Sequence, residues 1–193
     1  ITENPLYMPS RSHAELAAAF LEECIQKQDS AGGVIECRID GLPAGIGEPV
    51  FGKLDASLAG AVMSIGAVKG VEIGDGFGAA RSFGSLNNDP FYADGPAVRK
   101  KTNHAGGTLG GISDGSRIVL RAHIKPTPSV FSEQETVNKN GEDILIHIKG
   151  RHDPVIVPRA VVVVESMTAL TLVDLIFAGM PSRMDGIKKF YGK

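Results

Sequence analysis

Tryptophan is absent from this 193-residue chain, aromatic residues make up only 6% of it, and there are two cysteines. The first residues lack the basic stretch and apolar stretch of a secretory signal. No apolar run approaches the ~20 residues that a membrane helix needs. These absences predict a cytosolic protein that is not membrane-bound, with Cys24 and Cys37 as reduced core residues rather than a disulfide.

Charge of one sign is also scarce. The net charge of −2 and the pI of about 6.2 provide no bulk attraction for nucleic acid. Recognition of an anion must therefore come from a few placed basic residues, which favours a small anionic ligand over a polymer. No histidine or cysteine pair has metal-ligand spacing, and no P-loop, dinucleotide fingerprint or G-x-S-x-G elbow is present.

Hydrophobic periodicity predicts a mixture of helices and strands along residues 1–193, which we interpret as one α+β region. The connections after Gly115 are too short for helical crossovers, so we expect antiparallel sheets packed with helices. Ser12 and Glu15 have the spacing of a capping box at the start of the first helix. Helices are predicted at 12–27, 51–65 and 158–178, and strands at 34–40, 67–74, 116–124 and 143–150.

Three stretches of the chain depart from this regular pattern. Residues 75–115 are rich in Gly, Asn, Asp and Ser, which predicts a long loop of the kind that is usually functional or disordered. Within it, the run Arg99-Lys100-Lys101 is typical of a solvated charge cluster. The helix at 158–178 is apolar enough to be buried on nearly all sides, and the tail after Pro181 is expected to be loosely held.

Three short segments could bind an anion. Paired glycines at 106–107 and 110–111 either serve turns or bring backbone N–H groups to a flat or anionic ligand. The segment 125–129, KPTPS, is either a stiff strand exit or a phosphate clamp. The segment 150–154, GRHDP, could hold a phosphate-binding arginine and a proton-transferring carboxylate, or only a salt bridge.

Taken together, the segments resemble one family. In chain order, GGVIECRIDGLPAGIGEPVFGKLDASLAGAVMSIGAVKGVEIGDGF, NHAGGTLGGIS, KPTPS and GRHDPVIVPRAVVVVESM are similar to chorismate synthases, over residues 32 to about 174. The resemblance implies reduced FMN as cofactor and an anti 1,4-elimination of phosphate from 5-enolpyruvylshikimate 3-phosphate to chorismate, without net redox change. It also implies a fold of intertwined repeats and a homotetramer.

The resemblance further implies roles for individual residues. Asp153 matches a carboxylate that transfers a proton near the flavin, and Arg151 is implied in both catalysis and cofactor binding. The remaining implied flavin contacts are Gly66, Ala67, Asn103, Gly110, Lys125, Pro126, Thr127, Pro128 and Ser129.

The resemblance covers only the carboxy-terminal half of the family sequence. The family's functional histidines belong to the amino-terminal half, so we expect that this chain alone does not turn over at a normal rate. Two alternatives stay open: a non-catalytic module that binds flavin or phosphate, and a structural assembly fragment whose glycines and prolines serve turns. Saturable binding of FMN separates the last of these from the other two.

Overall fold

The computed structural model describes residues 1–150, 153–180 and 184–192. The described helices are α1 (Arg11–Gln26), α2 (Leu54–Met63), α3 (Gly84–Asn87), α4 (Val157–Gly179) and α5 (Met184–Tyr191), with a 3-10 helix over Gly76–Arg81. The described strands are β1 (Gly33–Ile39), β2 (Val68–Ile73), β3 (Phe91–Asp94), β4 (Ala97–Lys100), β5 (Thr108–Leu109), β6 (Ile112–Ser113), β7 (Ile118–Ile124), β8 (Gln134–Val137) and β9 (Asp143–Ile146). Helices accompany three antiparallel hairpins, β3–β4, β5–β6 and β8–β9. The α+β class expected from the sequence is confirmed.

The chain divides into two compact units. Unit 1 consists of Ile1–Val34 and His123–Val162, and unit 2 consists of Ile35–Ala122 and Val163–Lys193. Each unit is built from two separate stretches of chain. No linker of distinct composition therefore marks the division in the sequence.

Helix α1 confirms the first predicted helix but not its predicted cap. The helix begins at Arg11, and Ser10 precedes it in an extended conformation without a side-chain cap. Because the helix begins at Arg11, one residue before its predicted start, Ser12 lies inside the first turn. Its hydroxyl oxygen is 2.9 Å from that of Ser10. Glu15 instead pairs with Arg11 across one turn. The predicted capping box is wrong.

The core of unit 2 includes α2 and most of a three-stranded sheet of order β1-β7-β2. Helix α2 buries Leu54, Leu58 and Val62, which recur every four residues and so lie on one face. Strand β7 adds Ile118 and Leu120, which are also fully buried and lie two residues apart. Strand β1 has the predicted alternation, because exposed and covered residues alternate along it.

The two cysteines are free thiols, as expected. Cys24 is buried and Cys37 is half-buried. Burial raises the pKa of the Cys37 thiol above its ordinary value.

The long stretch predicted as a loop is more structured than its composition indicates. It contains the 3-10 helix, α3 and the hairpins β3–β4 and β5–β6. Strand β3 is exposed along its whole length, including Phe91 and Tyr92, so no alternation of apolar and polar residues marked it. Strand β8 and helix α5 were likewise missed, and α5 lies in the tail that we expected to be loosely held.

Helix α4 corrects two expectations. In the described part of the chain it buries only Val164, Thr168 and Leu172 fully, so burial on nearly all sides is wrong. Leu170 and Phe177 are among its exposed apolar residues. The helix is also long and apolar enough to cross a membrane, with a mean hydropathy of 2.0, contrary to the expectation that no run has that length. Core helices of soluble proteins pass the same test, so this finding carries no assignment.

Candidate functional site

Residues 30–32 of unit 1 connect two of the segments predicted to bind an anion. The Ser30 hydroxyl donates a hydrogen bond of 2.7 Å to the carbonyl oxygen of Thr127, in KPTPS. The next backbone N–H, of Ala31, donates one of 2.8 Å to the carbonyl oxygen of Pro154. Ala31 also forms a parallel β-bridge with Val155. Residues 30–32 therefore hold both KPTPS and the segment that follows Asp153.

Gly32 brings this backbone into close contact with KPTPS. A Cβ atom at this position would lie 2.4 Å from the carbonyl oxygen of Ile124 and 3.1 Å from Cδ of Pro126. Any side chain would push the two backbones apart, because a carbonyl oxygen cannot turn aside as a flexible side chain can. The position of KPTPS in unit 1 therefore depends on glycine at residue 32.

KPTPS itself presents groups suited to an anion. Lys125, Pro126 and Pro128 are exposed, whereas Thr127 and Ser129 are half-buried. The hydroxyl oxygen of Thr127 is buried and has no hydrogen-bond partner among the described residues. An unsatisfied buried hydroxyl costs about 1–3 kcal/mol, so a polar ligand atom that reached it would remove a standing penalty.

Asp153 is paired with an arginine that sequence reasoning missed. Its Oδ2 lies 2.6 Å from Nη1 of Arg159, and its Oδ1 accepts a hydrogen bond of 3.1 Å from Nη2. Contact with both oxygens fixes the orientation of the carboxylate. The sequence did contain a signal for this pair. Arg159 lies in the first turn of α4, where the positive end of the helix dipole disfavours a cation, so an acidic partner nearby is expected. The other predicted catalytic residue, Arg151, lies outside the described residues.

In unit 2, the side chain of Asn103 is engaged by the protein. Its Oδ1 accepts a hydrogen bond of 3.1 Å from Nζ of Lys100, and its Nδ2 donates one of 2.8 Å to the carbonyl oxygen of Arg117. The Asn103 carbonyl accepts the N–H of Gly106. These contacts assign Asn103 a part in shaping the loop, and its implied contact with a flavin stays a prediction.

Gly110 lies at an exposed turn of the same unit. It forms with Gly111 the two-residue turn between β5 and β6, and both have positive φ, 62° and 88°. This combination is typical of a type I′ turn, which suits glycine. No atom of the other described residues, apart from its chain neighbours, lies within 4 Å of the place where a Cβ of Gly110 would stand. The backbone there is open to a flat ligand.

The turn that contains Gly66 and Ala67 has a comparable opening. Within the part of the chain that the structure describes, no atom beyond the neighbouring residues lies within 4 Å of the Cβ position of Gly66. Ala67 has a φ of 70°, a left-handed conformation that costs about 1–2 kcal/mol in a residue with a side chain. Strain of this kind is found at functional sites, and the role that the resemblance implies for Ala67 stays a prediction.

Three charged residues of unit 2 form a buried group that sequence reasoning missed; we call Lys100, Asp89 and Asp114 the Lys100 cluster. Their side chains are 2%, 3% and 8% exposed, respectively. Nζ of Lys100 lies 3.2 Å from Oδ2 of Asp89 and 2.7 Å from Oδ2 of Asp114. The expectation that the run Arg99-Lys100-Lys101 is solvated is therefore wrong for Lys100, although Arg99 is exposed.

The Lys100 cluster holds its carboxylates ionised. Burial raises the pKa of Asp89, but hydrogen bonds from the backbone N–H of Ala105, the Thr102 hydroxyl, the backbone N–H of His104 and Lys100 outweigh it. The pKa of Asp89 consequently lies well below its usual range.

His104 has an ordered ring beside this cluster. Its Nδ1 lies 2.7 Å from Oδ2 of Asp75, and both side chains are partly exposed. A carboxylate at one ring nitrogen orients the imidazole. Within the ranges that the structure describes, no three His, Cys, Asp or Glu side chains are grouped as ligands for a metal ion.

A large cavity adjoins one of these segments, at Pro154. It has a volume of about 840 Å³ and is lined by the amino-terminal segment, α1, Pro154 and Val155. None of the described flavin contacts is among its lining residues. Size alone is a weak indicator here, and the side chains that could do chemistry lie in the segments above.

Apart from Gly66 and Ala67, which share a separate turn of unit 2, the described site residues form two groups, each within one unit. In unit 1, Lys125 to Ser129 and the Asp153-Pro154 segment are both attached to residues 30–32. In unit 2, Asn103 and Gly110 belong to one stretch that begins and ends at the Lys100 cluster.

Comparison with known proteins indicates the family of the chain. The family model described as chorismate synthase matches residues 1–177. The chorismate synthase of Lachnoclostridium phytofermentans is 62% identical over 194 residues, which is 100% of this chain and 53% of the relative. That of Archaeoglobus fulgidus is 58% identical over 172 residues, or 89% of this chain and 48% of the relative.

A solved structure shows the same fold. A crystal structure of chorismate synthase superposes with a TM-score of 0.74 at 33% identity, covering 96% of this chain and 49% of that chain. The chain spans about half the length of the curated relatives it matches. Because the family model covers far more than half of the residues, the chain belongs to the chorismate synthase family.

Proposed function

We propose that this chain carries part of the active site of a chorismate synthase, a lyase that eliminates phosphate from 5-enolpyruvylshikimate 3-phosphate to give chorismate. The reaction is an anti 1,4-elimination in aromatic amino acid biosynthesis that uses reduced FMN and has no net redox change. Membership of the family supports the proposal. We further propose that the working enzyme is a cytoplasmic homotetramer.

The observation that carries the proposal is the attachment of two chemically different segments to residues 30–32. Thr127 and Pro154 each accept a hydrogen bond from that stretch, at 2.7 Å and 2.8 Å. The cation and hydroxyls of KPTPS suit the binding of a departing phosphate. The carboxylate of Asp153, beside Pro154, suits the transfer of a proton. An elimination of phosphate and a proton requires both.

Each unit, taken by itself, has groups that suit a reduced flavin. Gly110 and Gly66 leave open space above their backbones, where a flat ring could lie without a steric clash. Thr127 has a buried hydroxyl that lacks a partner among the described residues, and Lys125 adds an exposed positive charge for a phosphate group. When bound, reduced FMN supplies electron density to the allylic system as phosphate leaves. The other proposed contacts are Ala67, Asn103, Pro126, Pro128, Ser129 and Arg151.

Asp153 is the proposed proton-transferring residue of this half. Of its two oxygens, Oδ1 has the longer contact with Arg159, 3.1 Å against 2.6 Å at Oδ2. Oδ1 is therefore the oxygen that can take or release a proton while Arg159 still holds the other. Arg159 acts as an orienting residue, and Arg151 is proposed to stabilise negative charge on phosphate.

A second candidate is a non-catalytic module that binds flavin or phosphate. The observation in its favour is that the chain covers only about half the length of its relatives, so groups from the other half do not act in the isolated chain. The two candidates make the same prediction for FMN binding and opposite predictions for turnover.

The test uses a chimera in which this chain replaces the matching half of the Lachnoclostridium phytofermentans enzyme, 62% identical to it. Phosphate release is measured without oxygen, with reduced FMN and 5-enolpyruvylshikimate 3-phosphate. Asp153→Asn should lower kcat about 100-fold or more, because general acid–base groups contribute roughly 10²–10⁴-fold.

The matched control is Asp143→Asn, an exposed aspartate in unit 1 that should leave kcat unchanged. Equal turnover by the Asp153→Asn chimera and the unsubstituted chimera would remove Asp153 from the mechanism. A chimera that binds FMN but never releases phosphate would favour the module.

A further inference from the structure

The Lys100 cluster lies outside the groups assigned to chemistry, yet it is among the most buried charged groups described. Lys100 ends β4 and contacts Asp89, which precedes β3, and Asp114, which follows β6. Its ammonium group also donates to Oδ1 of Asn103. One cation thus joins three points that turns of the chain separate.

Stability alone does not account for such a cluster. Two carboxylates and one ammonium leave a net charge of −1 in a buried place, and desolvation of buried ions offsets most of the gain from their attraction. Apolar residues of similar size would stabilise the fold as well or better. A buried ionic group whose net stabilisation is small has a more specific effect, which is to fix one arrangement of the chain.

The arrangement that the cluster fixes is the loop from Asn103 to Asp114. Asp89 accepts the backbone N–H of His104 at 2.7 Å and that of Ala105 at 3.0 Å. At the other end, the backbone N–H of Asp114 donates to the carbonyl oxygen of Gly107 at 3.1 Å. Asp114 is itself held by Lys100, whose Nζ lies 2.7 Å from Oδ2 of Asp114. Both ends of the stretch that contains Gly110 are therefore held through Lys100 or its carboxylates.

We propose that Lys100 is a positioning residue, whose contacts with Asp89, Asn103 and Asp114 set the geometry of the loop that presents Asn103 and Gly110 to the flavin. This inference rests on the proposed function, because it takes that loop as part of the cofactor site. Lys100 does not touch the cofactor; its effect passes through the backbone of the loop.

The test compares variants of the chimera described above. Lys100→Met together with Asp114→Asn removes the contacts of Lys100 with its partners. The net charge of the cluster does not change, because Asp89 alone then carries it. A change in FMN binding therefore reports a change in geometry and not in charge. Arg99→Met is the matched control, since Arg99 precedes Lys100 on β4 and is exposed. The dissociation constant of FMN is measured by fluorescence quenching, at a temperature where thermal denaturation shows every variant fully folded.

A positioning role predicts that the double variant binds FMN about 10-fold more weakly or worse, because small displacements of a site cost up to roughly 100-fold. Arg99→Met should stay within about twofold, as surface substitutions do. A double variant that melts at a lower temperature but binds FMN as tightly as the unsubstituted chimera would overturn the inference, since a purely structural role predicts that result.

If the double variant does not fold, Asp114→Asn alone decides the matter. This substitution breaks the contact between Lys100 and Asp114 and leaves the contact between Lys100 and Asp89. Weaker FMN binding supports the inference, and unchanged binding overturns it. Failure of the unsubstituted chimera to bind FMN is a different result, because it contradicts the proposed function itself.

Discussion

Replacement of Asp89 by asparagine should destabilise the chain more than most single substitutions. Oδ1 of Asp89 accepts from His104 N and Thr102 Oγ1, both at 2.7 Å, and an asparagine oxygen can keep these bonds. At Oδ2, however, an NH₂ group would face the N–H of Ala105 and the ammonium of Lys100. Two buried donors then lose their acceptor. At about 1–3 kcal/mol each, the expected loss is about 2–6 kcal/mol.

Urea denaturation followed by circular dichroism measures this loss at neutral pH. Asp94→Asn is the control, since Asp94 lies on the same hairpin and pairs with Arg99 at the surface, where an ion pair contributes about 0–1 kcal/mol. A loss below about 1 kcal/mol for Asp89→Asn would show that Asp89 is solvated, and would refute the buried cluster.

The pH dependence of stability provides a second measure of the same residue. The folded-state pKa of Asp89 is lowered, whereas an unfolded aspartate titrates near 3.9. The stabilisation is therefore complete above the unfolded pKa and is lost as the pH falls through the folded one. Below about pH 4 the unsubstituted chain should lose more stability than Asp89→Asn does. Parallel losses would contradict the assignment.

Three further predictions concern separate places in the chain. Gly32→Ala should weaken FMN binding by the chimera, because the new Cβ would lie 2.4 Å from the carbonyl oxygen of Ile124; Gly60→Ala, with open space around it, is the control and should bind normally. Leu58→Ala should lower the free energy of unfolding by about 2–5 kcal/mol in urea titrations, since the side chain is fully buried; a loss under about 1 kcal/mol would contradict the core as described. Burial raises the pKa of Cys37, so iodoacetamide at about pH 8 should alkylate it more slowly than a free cysteine, as measured by intact mass; equal rates would show an exposed thiol.

The parts of the fold that sequence predicted well are those where one face is buried and the other is not. Strand β1 alternates, with Ile35 buried between exposed Val34 and Glu36, and α1 and α2 begin and end within a few residues of their predicted limits. Periodicity reports such faces directly. It could not report how much of α4 is covered, because an apolar sequence is the same whether or not a neighbour packs against it.

The candidate site divides in the same way. KPTPS and Asp153 were visible because their residue types suit an anion and a proton even without a structure. Arg159 and the Lys100 cluster were not, because their partners lie six, eleven and fourteen residues away through turns. A run of three basic residues is typical of a solvated surface, and only the path of the hairpin shows that Lys100 points inward.

The two-stretch construction of unit 1 has a consequence for synthesis. Its first 34 residues leave the ribosome well before residue 123, and at about 5–20 residues per second the interval is roughly 5–20 s. During that time the N–H of Ala31 and the hydroxyl of Ser30 lack their acceptors, which belong to Pro154 and Thr127. The emerging chain therefore has two unpaired donors at the residues that later hold both segments, and a chaperone that shields residues 30–32 during this interval would keep them from pairing with other chains.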